Sequence, residues 1–220
     1  MAINKENYEK IISELQPVNA TLVAVSKIKP VSDIKALYDS GQKDFGENYV
    51  QELVEKAEAL PVDIRWHYIG HLQRNKVKYI APFVHLIHGV DSEKLLKEID
   101  KQGKRAGRVI DCLLQVHIAQ EETKFGFDAK EVRELVKKIS SDELQLSHVR
   151  IRGLMGMASF TDDEEKIRSE FAMLSTLYES LKPAFPDFDI LSMGMSADYQ
   201  LAIEYGSNMV RIGSLLFGAR

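Results

Sequence analysis

The sequence contains very little cysteine, because Cys112 is the single one among 220 residues. One thiol cannot form an internal disulfide or a multi-cysteine metal site, and such scarcity is typical of a reducing compartment. The chain also lacks any apolar run near the roughly 20 residues that a membrane-spanning helix requires. Its first residues, MAINKENYEK, lack the apolar core of a secretory signal. We therefore expect a cytoplasmic protein without a membrane partner.

The chain also has no excess of positively charged residues. The chain has 29 Lys and Arg against 33 Asp and Glu, which gives a formal net charge of -4. Nonspecific nucleic-acid binding needs a basic surface, so we expect no nucleic-acid partner. Linkers and low-complexity tracts are also missing, and we predict that residues 1–220 form a single domain.

Short apolar runs alternate with polar stretches in which apolar residues recur at helical spacing. The first helix is predicted at 4–16. The predicted strands are 21–27, 44–48, 64–70, 84–90, 109–118, 150–157, 190–194 and 209–218. Helices are predicted between them, including one at 128–140, a long one that begins with a capping box of Thr161 and Glu164, and one at 197–205.

This alternation favours parallel strands joined by right-handed crossovers. Eight such units in a chain of 220 residues predict an α/β fold, a single (β/α)8 TIM barrel. An open, doubly wound sheet is the alternative, but it usually has fewer strands.

The carboxyl ends of the strands form the active-site face of such a barrel. Lys27 ends the first predicted strand and shares a face with Val23 and Val25. If that face points into the barrel, apolar surroundings favour the neutral amine, which can form a Schiff base with an aldehyde. Lys29 is the alternative amine, and a solvent-exposed Lys27 without a chemical role is the simpler interpretation.

Small residues follow the seventh and eighth strands. The segment SMGMS (192–196) precedes a helix that Ser196 is predicted to cap, and RIGS (211–214) contains Gly213. Loops at these two positions often bind phosphate through backbone N–H groups, although the glycines could serve only for tight turns. An amine and an anion-binding loop on one rim indicate a pyridoxal 5′-phosphate (PLP) site. A Schiff-base aldolase acting on a sugar phosphate would need similar groups.

Six segments carry a resemblance to a known family. They are AVSKIKP (24–30), FGENYVQE (45–52), WHYIGHLQRNK (66–76), GLMGM (153–157), LSMGMSADYQLAI (191–203) and VRIGSLLFG (210–218). These segments occur in the order typical of the pyridoxal phosphate homeostasis proteins, and the chain resembles this family. The resemblance implies a barrel like the N-terminal domain of alanine racemase, PLP held as a Schiff base on Lys27, and a role in PLP (vitamin B6) homeostasis. It also implies a monomer, with apo PLP-dependent enzymes as possible recipients of the cofactor.

The resemblance also assigns the remaining binding residues. Asn48 would lie beside the cofactor, and Ser196 with the backbone of Gly213 and Ser214 would hold the phosphate. Arg211 would lie near the pyridine nitrogen or the phosphate. A cation at the nitrogen disfavours ring protonation and makes the ring a poor electron sink, which suits a binding protein better than an aminotransferase.

A PLP-dependent amino-acid racemase is the alternative function. Alanine racemases carry a second, β-rich domain that contributes a tyrosine as the second acid or base. Here the sequence ends about where the barrel is predicted to close, at 217–220, so Tyr49 or Tyr68 would have to replace that tyrosine. We therefore expect a carrier with no catalytic residue rather than an enzyme.

The histidines do not form a metal-binding pattern. His67 and His71 are four residues apart but lack the helical HExxH context, and His85 and His88 are expected to point to opposite sides of a strand. We therefore expect no metal site.

Overall fold

The computed structural model describes residues 3–119 and 125–218 of the chain. Within these residues, eight parallel strands follow one another in chain order around a closed barrel, because β1 pairs with β8 as well as with β2. The strands are β1 (Thr21–Val25), β2 (Asp44–Glu47), β3 (Arg65–Tyr68), β4 (Leu86–Val90), β5 (Ile110–Val116), β6 (Val149–Gly156), β7 (Ile190–Met195) and β8 (Met209–Ile212). The predicted (β/α)8 TIM barrel is confirmed.

Helices precede, connect and follow the strands. They are α1 (Lys5–Leu15), α2 (Val31–Asp39), α3 (Val50–Ala59), α4 (Val77–Ile80), α5 (Glu93–Ala106), α6 (Ala129–Ser140), α7 (Glu164–Leu181), α8 (Tyr199–Glu204) and α9 (Ser214–Phe217). Across the ranges 3–119 and 125–218, none of these helices has both the length and the apolar character needed to cross a membrane.

Helix α5 illustrates how the sequence defines these elements. The hydroxyl of Ser92 accepts the Leu95 N–H at 3.3 Å and caps the first turn. Leu95, Leu96 and Ile99 form a buried stripe at helical spacing. Gly107 ends the helix with a φ of 65°, a left-handed conformation that favours glycine.

The barrel encloses a small apolar cluster, and a larger one lies between the barrel and its helices. The inner cluster consists of Val23, Leu86, Leu113, Met155 and Met209. Val23 therefore faces the interior, as the alternation along the first strand predicts. The side chains packed outside the barrel form one continuous core with the helices. The interior is thus closed by side chains at mid-height, and a ligand has access only at the ends.

Four strand predictions extend two or more residues too far at their carboxyl ends, namely 21–27, 64–70, 109–118 and 209–218, and the first and last of these have a clear cause. Strand β1 ends at Val25 instead of residue 27, because the chain turns at Ser26, whose carbonyl accepts the Lys29 N–H at 3.0 Å. The last predicted strand, 209–218, is β8 followed by the short helix α9. A short apolar run does not distinguish a strand from a buried helical turn.

The predicted capping box at the start of the long helix is also wrong. Asp163 caps α7, since its carboxylate accepts the Lys166 N–H at 3.2 Å. The Thr161 hydroxyl instead accepts the N–H of Asp163, the residue just before the helix, at 3.1 Å. Thr161 therefore supports the capping residue rather than serving as the cap.

Candidate functional site

A cavity of about 990 Å³ opens at the carboxyl ends of the strands. Its lining includes four of the predicted site residues, namely Ser196, Arg211, Gly213 and Ser214. Val25, at the end of β1, lies in the same wall. Lys27 and Asn48 are not among the residues that line this cavity, and they occupy the neighbouring loops after β1 and β2.

The loops after β7 and β8 are joined directly to each other. The Gly213 N–H donates to the Ser196 hydroxyl at 3.2 Å. Helix α9 starts at the next residue, and the Gly213 carbonyl accepts the N–H groups of Leu216 and Phe217. The first N–H groups of a helix have no partner within the helix, so those of Ser214 and Leu215 are donors suited to an anion. Both predicted phosphate loops therefore meet at one point.

Ser196 was predicted to cap the following helix, and this prediction is wrong. Helix α8 begins at Tyr199, after Asp198. The Ser196 hydroxyl instead accepts the Gly213 N–H and so joins the loops after β7 and β8. Gly194 permits this path with a φ of 93°. A Cβ there would lie 2.6 Å from the Ala202 Cβ, so glycine is required for both conformation and space.

Arg211 lies deep beneath these loops and is only 4% exposed. Its guanidinium donates to the Ser192 carbonyl at 3.0 Å, to the Ser192 hydroxyl at 2.6 Å and to the Gly156 carbonyl at 2.9 Å. Burial lowers the pKa of Arg211 to about 10, while the Asp198 carboxylate opposes the change. The side chain is therefore a fixed cation at neutral pH, directed across the barrel between β8, β7 and β6.

A column of hydrogen bonds extends from Arg211 through the barrel interior. Ser192 contacts His88 Nδ1 at 3.2 Å, and His88 Nε2 contacts His67 Nδ1 at 2.9 Å. His67 Nε2 then contacts the Asp44 carboxylate at 2.9 Å, near the amino-terminal mouth. Burial lowers the pKa of His88 well below its usual range, so this imidazole is neutral. The column, which we call the core column, links the candidate site to the opposite end of the barrel.

Asp44 should contribute an acid-sensitive part of the stability. Burial alone would raise its pKa, but hydrogen bonds from Arg65 and His67 outweigh this effect and lower the pKa to about 2. A carboxylate whose pKa is lower in the folded state stabilises the protein above its unfolded pKa. We therefore expect about 2 kcal/mol from Asp44 at neutral pH, lost as the pH falls from about 4 towards 2.

Urea unfolding of the wild type and Asp44→Asn between pH 7 and pH 3 measures this contribution. The difference in unfolding free energy between the two proteins should shrink as the pH falls. Asp39→Asn is the control, because Asp39 pairs with Lys35 on the surface of α2. If the difference in unfolding free energy between the wild type and Asp44→Asn stays constant over this pH range, Asp44 does not make the expected pH-dependent contribution.

Asp44, His67 and His85 also bring three potential metal-binding atoms within 4.8 Å of one another. The Asp44 carboxylate, however, already accepts two hydrogen bonds from Arg65 and one from His67. The Arg65 cation beside it opposes the approach of a second cation. The protein's own hydrogen bonds therefore account for this arrangement.

The turn that carries Lys27 lies between β1 and α2. Ser26 is fully buried, and its hydroxyl donates to the Glu47 carboxylate at 2.6 Å. Its carbonyl accepts a hydrogen bond from Lys56 at 2.7 Å. Ile28 has a φ of 60°, a left-handed conformation that is rare for a β-branched residue. The backbone on both sides of Lys27 is therefore fixed.

Lys29 has a different environment. Its ammonium donates to the Phe217 carbonyl at 2.9 Å and to the Gly218 carbonyl at 3.4 Å. These carbonyls lie at the carboxyl end of α9, where a cation is favoured. Lys29 thus stabilises the helix whose other end contributes to the phosphate loops. Its amine is engaged in structure rather than directed into the cavity.

Asn48 provides a test of whether a polar ligand fits at this mouth. The Asn48 carbonyl accepts from the Tyr68 hydroxyl at 2.9 Å, which holds the loop after β2. In the part of the chain that the structure describes, Asn48 Oδ1 is a buried atom without a hydrogen-bond partner. Such atoms are costly and usually have a ligand or water as their partner. With the N–H donors near Gly213 and the Arg211 cation, this amide fits a polar, anionic cofactor such as PLP.

Comparison with known proteins gives the family. A model of the family "Alanine racemase, N-terminal domain" matches residues 3–220. The pyridoxal phosphate homeostasis protein of Pasteurella multocida is 41% identical over 204 residues, covering 90% of this chain and 86% of that protein. Its counterpart in Aquifex aeolicus is 41% identical over 203 residues, covering 91% and 87%. The chain belongs to the pyridoxal phosphate homeostasis protein family.

Solved structures agree with this assignment. PipY of Synechococcus elongatus with PLP bound is 35% identical with a TM-score of 0.85, and the match covers 97% of this chain and 99% of that one. Alanine racemase of Bartonella henselae is 16% identical with a TM-score of 0.71, covering 97% of this chain and 57% of that one. The second likeness shows the fold alone, and that fold is the expected alanine racemase-type barrel.

Several contacts around the candidate site were not predicted from the sequence. Glu47 and Lys56 contact the Lys27 turn, yet they are ordinary members of a strand and a helix in the sequence. His88 was considered only as a possible metal ligand, and it lies in the core column. The charged Glu47 within the buried strand β2 is a signal that could have drawn attention to a buried partner.

Proposed function

We propose that this protein binds PLP as a Schiff base on Lys27 and holds it for intracellular PLP homeostasis, without turning over a substrate. The observation that carries the proposal is the close approach of the Gly213 loop to Val25, the last residue of the strand that leads into the Lys27 turn. A Cβ on Gly213 would lie 3.2 Å from Val25 Cβ, so the loop after β8 approaches the end of β1 closely. This closeness supports one cofactor site that contains both the Lys27 amine and the anion donors.

The chemistry at Lys27 is a condensation. The Lys27 amine would hold PLP covalently by condensing with its aldehyde carbon, with the aldehyde oxygen lost as water. The Ser196 hydroxyl and the N–H groups of Ser214 and Leu215 bind the phosphate. Hydrolysis reverses the condensation, so the same groups permit release. When bound, PLP supplies an aldehyde and an aromatic ring capable of accepting electrons.

Arg211 supports a binding role rather than catalysis. Arg211 lies on β8, two residues before Gly213. Its guanidinium is held by hydrogen bonds to Ser192 and Gly156. We assign it to the pyridine nitrogen, and Ser196 to the phosphate. A fixed cation at the nitrogen disfavours ring protonation and leaves the ring a poor electron sink. The curated relatives carry the name of homeostasis proteins, which supports the same conclusion.

Borohydride reduction followed by peptide mapping tests the attachment. The protein is incubated with PLP, reduced and digested, and the pyridoxyl group is located by mass spectrometry. We expect it on Lys27. A label on Lys29, or no stable label, would overturn the proposed attachment.

Two assays test the role. Incubation of the PLP-loaded protein with L-alanine should leave its chirality unchanged, and racemisation at about 1 per second or faster would indicate an enzyme. An apo PLP-dependent enzyme should gain activity from the loaded protein faster than from PLP released into buffer. Equal rates would remove the support for direct transfer to recipient enzymes.

A further inference from the structure

The turn that carries Lys27 is held from outside the cofactor mouth by a charge cluster of Glu47, Glu52 and Lys56, of which Glu47 and Lys56 are buried. We propose that these three side chains are positioning residues that set the conformation of the Lys27 turn for attack on the aldehyde. The inference rests on the proposed function, because it concerns how Lys27 reaches PLP. It assigns a role to helix α3, which contributes no group to the mouth cavity.

Lys56 is the centre of the cluster. It is 5% exposed, although it stands on the amphipathic helix α3. Its ammonium donates to the Ser26 carbonyl at 2.7 Å, to Glu47 Oε1 at 2.7 Å and to Glu52 Oε1 at 2.6 Å. An ammonium has three protons, so each one has an acceptor. Lys56 therefore connects two carboxylates to the turn.

The two carboxylates contact the turn on opposite sides of Lys27. Glu47 Oε1 accepts the Ser26 hydroxyl at 2.6 Å, before Lys27. Glu52 Oε1 accepts the Ile28 N–H at 2.5 Å, after Lys27. The peptide groups flanking Lys27 are therefore bound to one cluster. Any shift of the cluster changes the direction from which the Lys27 side chain leaves the backbone.

The conformation of Ile28 gives the cluster an energetic role. Its φ of 60° is unfavourable for a β-branched side chain and persists only where the surroundings enforce it. The Glu52 carboxylate binds the N–H of this residue, which favours the strained conformation. Without that hydrogen bond, the turn can relax and change the position of Lys27.

The cluster is separate from the phosphate loops. Glu52 and Lys56 line an outer cavity of about 390 Å³ with Ile28 and Lys29, on the other side of the turn. The cofactor mouth is lined instead by the loops after β6, β7 and β8 and by the helices α7 and α8, together with Val25 and Arg211. The cluster can therefore influence Schiff-base formation only through the turn, and phosphate binding should be independent of it.

Glu52→Ala tests this role, with Glu55→Ala as the matched control. Glu55 lies one residue before Lys56 on the same helix and contacts Gln51 at 2.9 Å rather than the turn. Three readouts are compared: the rate of Schiff-base formation with PLP by absorbance, the affinity for pyridoxine 5′-phosphate, and the thermal midpoint. Pyridoxine 5′-phosphate has an alcohol in place of the aldehyde, so it reports the phosphate and ring contacts alone.

We expect Glu52→Ala to slow Schiff-base formation about tenfold, which matches the loss of one charge-assisted hydrogen bond. Its affinity for pyridoxine 5′-phosphate should be unchanged. Glu52→Gln keeps an oxygen for the Ile28 N–H and should recover most of the rate, and Glu55→Ala should behave as the wild type.

Three results are decisive against the inference. A wild-type rate in Glu52→Ala overturns it while leaving Lys27 as the attachment site. An equal loss of rate and of pyridoxine 5′-phosphate affinity shows a general structural role. A wild-type protein without a Lys27 adduct overturns the proposed function, and with it the positioning role.

Discussion

Lys27→Ala is expected to lose all covalent attachment of PLP, whereas Lys29→Ala is expected to retain it. The two lysines are two residues apart, but their environments differ. The Lys29 ammonium is bound to the Phe217 and Gly218 carbonyls at the end of α9. Lys27 follows the buried Ser26 and precedes the strained Ile28, in a turn that two elements hold in place. Only Lys27 is presented by a backbone fixed for one direction of approach.

Intact mass after borohydride reduction measures this difference. The wild type and Lys29→Ala should each gain one pyridoxyl group, and Lys27→Ala should gain none. Pyridoxine 5′-phosphate should still bind to Lys27→Ala, because the phosphate loops contain no part of that side chain. Retention of the label in Lys27→Ala together with its loss in Lys29→Ala would move the attachment to Lys29.

Lys56→Met is expected to destabilise the protein by about 3–5 kcal/mol, the usual cost of removing one partner of a buried ion pair. Glu47 is fully buried, and its carboxylate would lose its cationic partner. Burial already raises the pKa of Glu47, with Lys56 acting in the opposite direction. Without Lys56 the folded protein should take up a proton at Glu47. The deficit in unfolding free energy should therefore become smaller as the pH falls towards about 4.3, the unfolded pKa of Glu.

Urea unfolding of the cofactor-free protein measures the effect. The double variant Glu47→Gln with Lys56→Met should regain much of the loss, because no buried charge remains. Lys35→Met is the control, since Lys35 pairs with Asp39 on the exposed face of α2 and should change the stability by less than about 1 kcal/mol. A similarly small change in Lys56→Met would show that the Glu47–Lys56 pair does not stabilise the fold.

The sequence predicted the barrel because its periodicity is local and repeated. Each strand is a short apolar run, each helix has an amphipathic stripe, and eight repeats leave few topologies. The errors lie at strand ends, where one tertiary contact decides the conformation. The segment after Arg211, IGSLLFG, is mostly apolar, and only packing determines that it becomes the helix α9. The predicted cap at Ser196 failed because its hydroxyl bonds to Gly213, 17 residues later in the chain.

Those residues of the candidate site that follow a barrel strand could be predicted from the topology alone. Lys27, Ser196 and Gly213 follow strands that meet at one face of a barrel, so their proximity follows from the fold. The supporting groups were not predictable in this way. Glu47 and Lys56 become partners only when β2 and α3 pack together. The pairing of His67 with His88 similarly depends on which side chains point inward, a choice that one misplaced residue in the register would reverse.

The core column constrains how this barrel can change over time. Asp44, His67, His88, Ser192 and Arg211 each bind the next member, so the loss of an inner member leaves two neighbours with unmatched polar atoms. An apolar replacement at His88 would leave His67 and Ser192 each without the hydrogen-bond partner that His88 provides. Viable descendants of this sequence should therefore keep the five groups intact or exchange several of them together, so that the column is inherited as a unit.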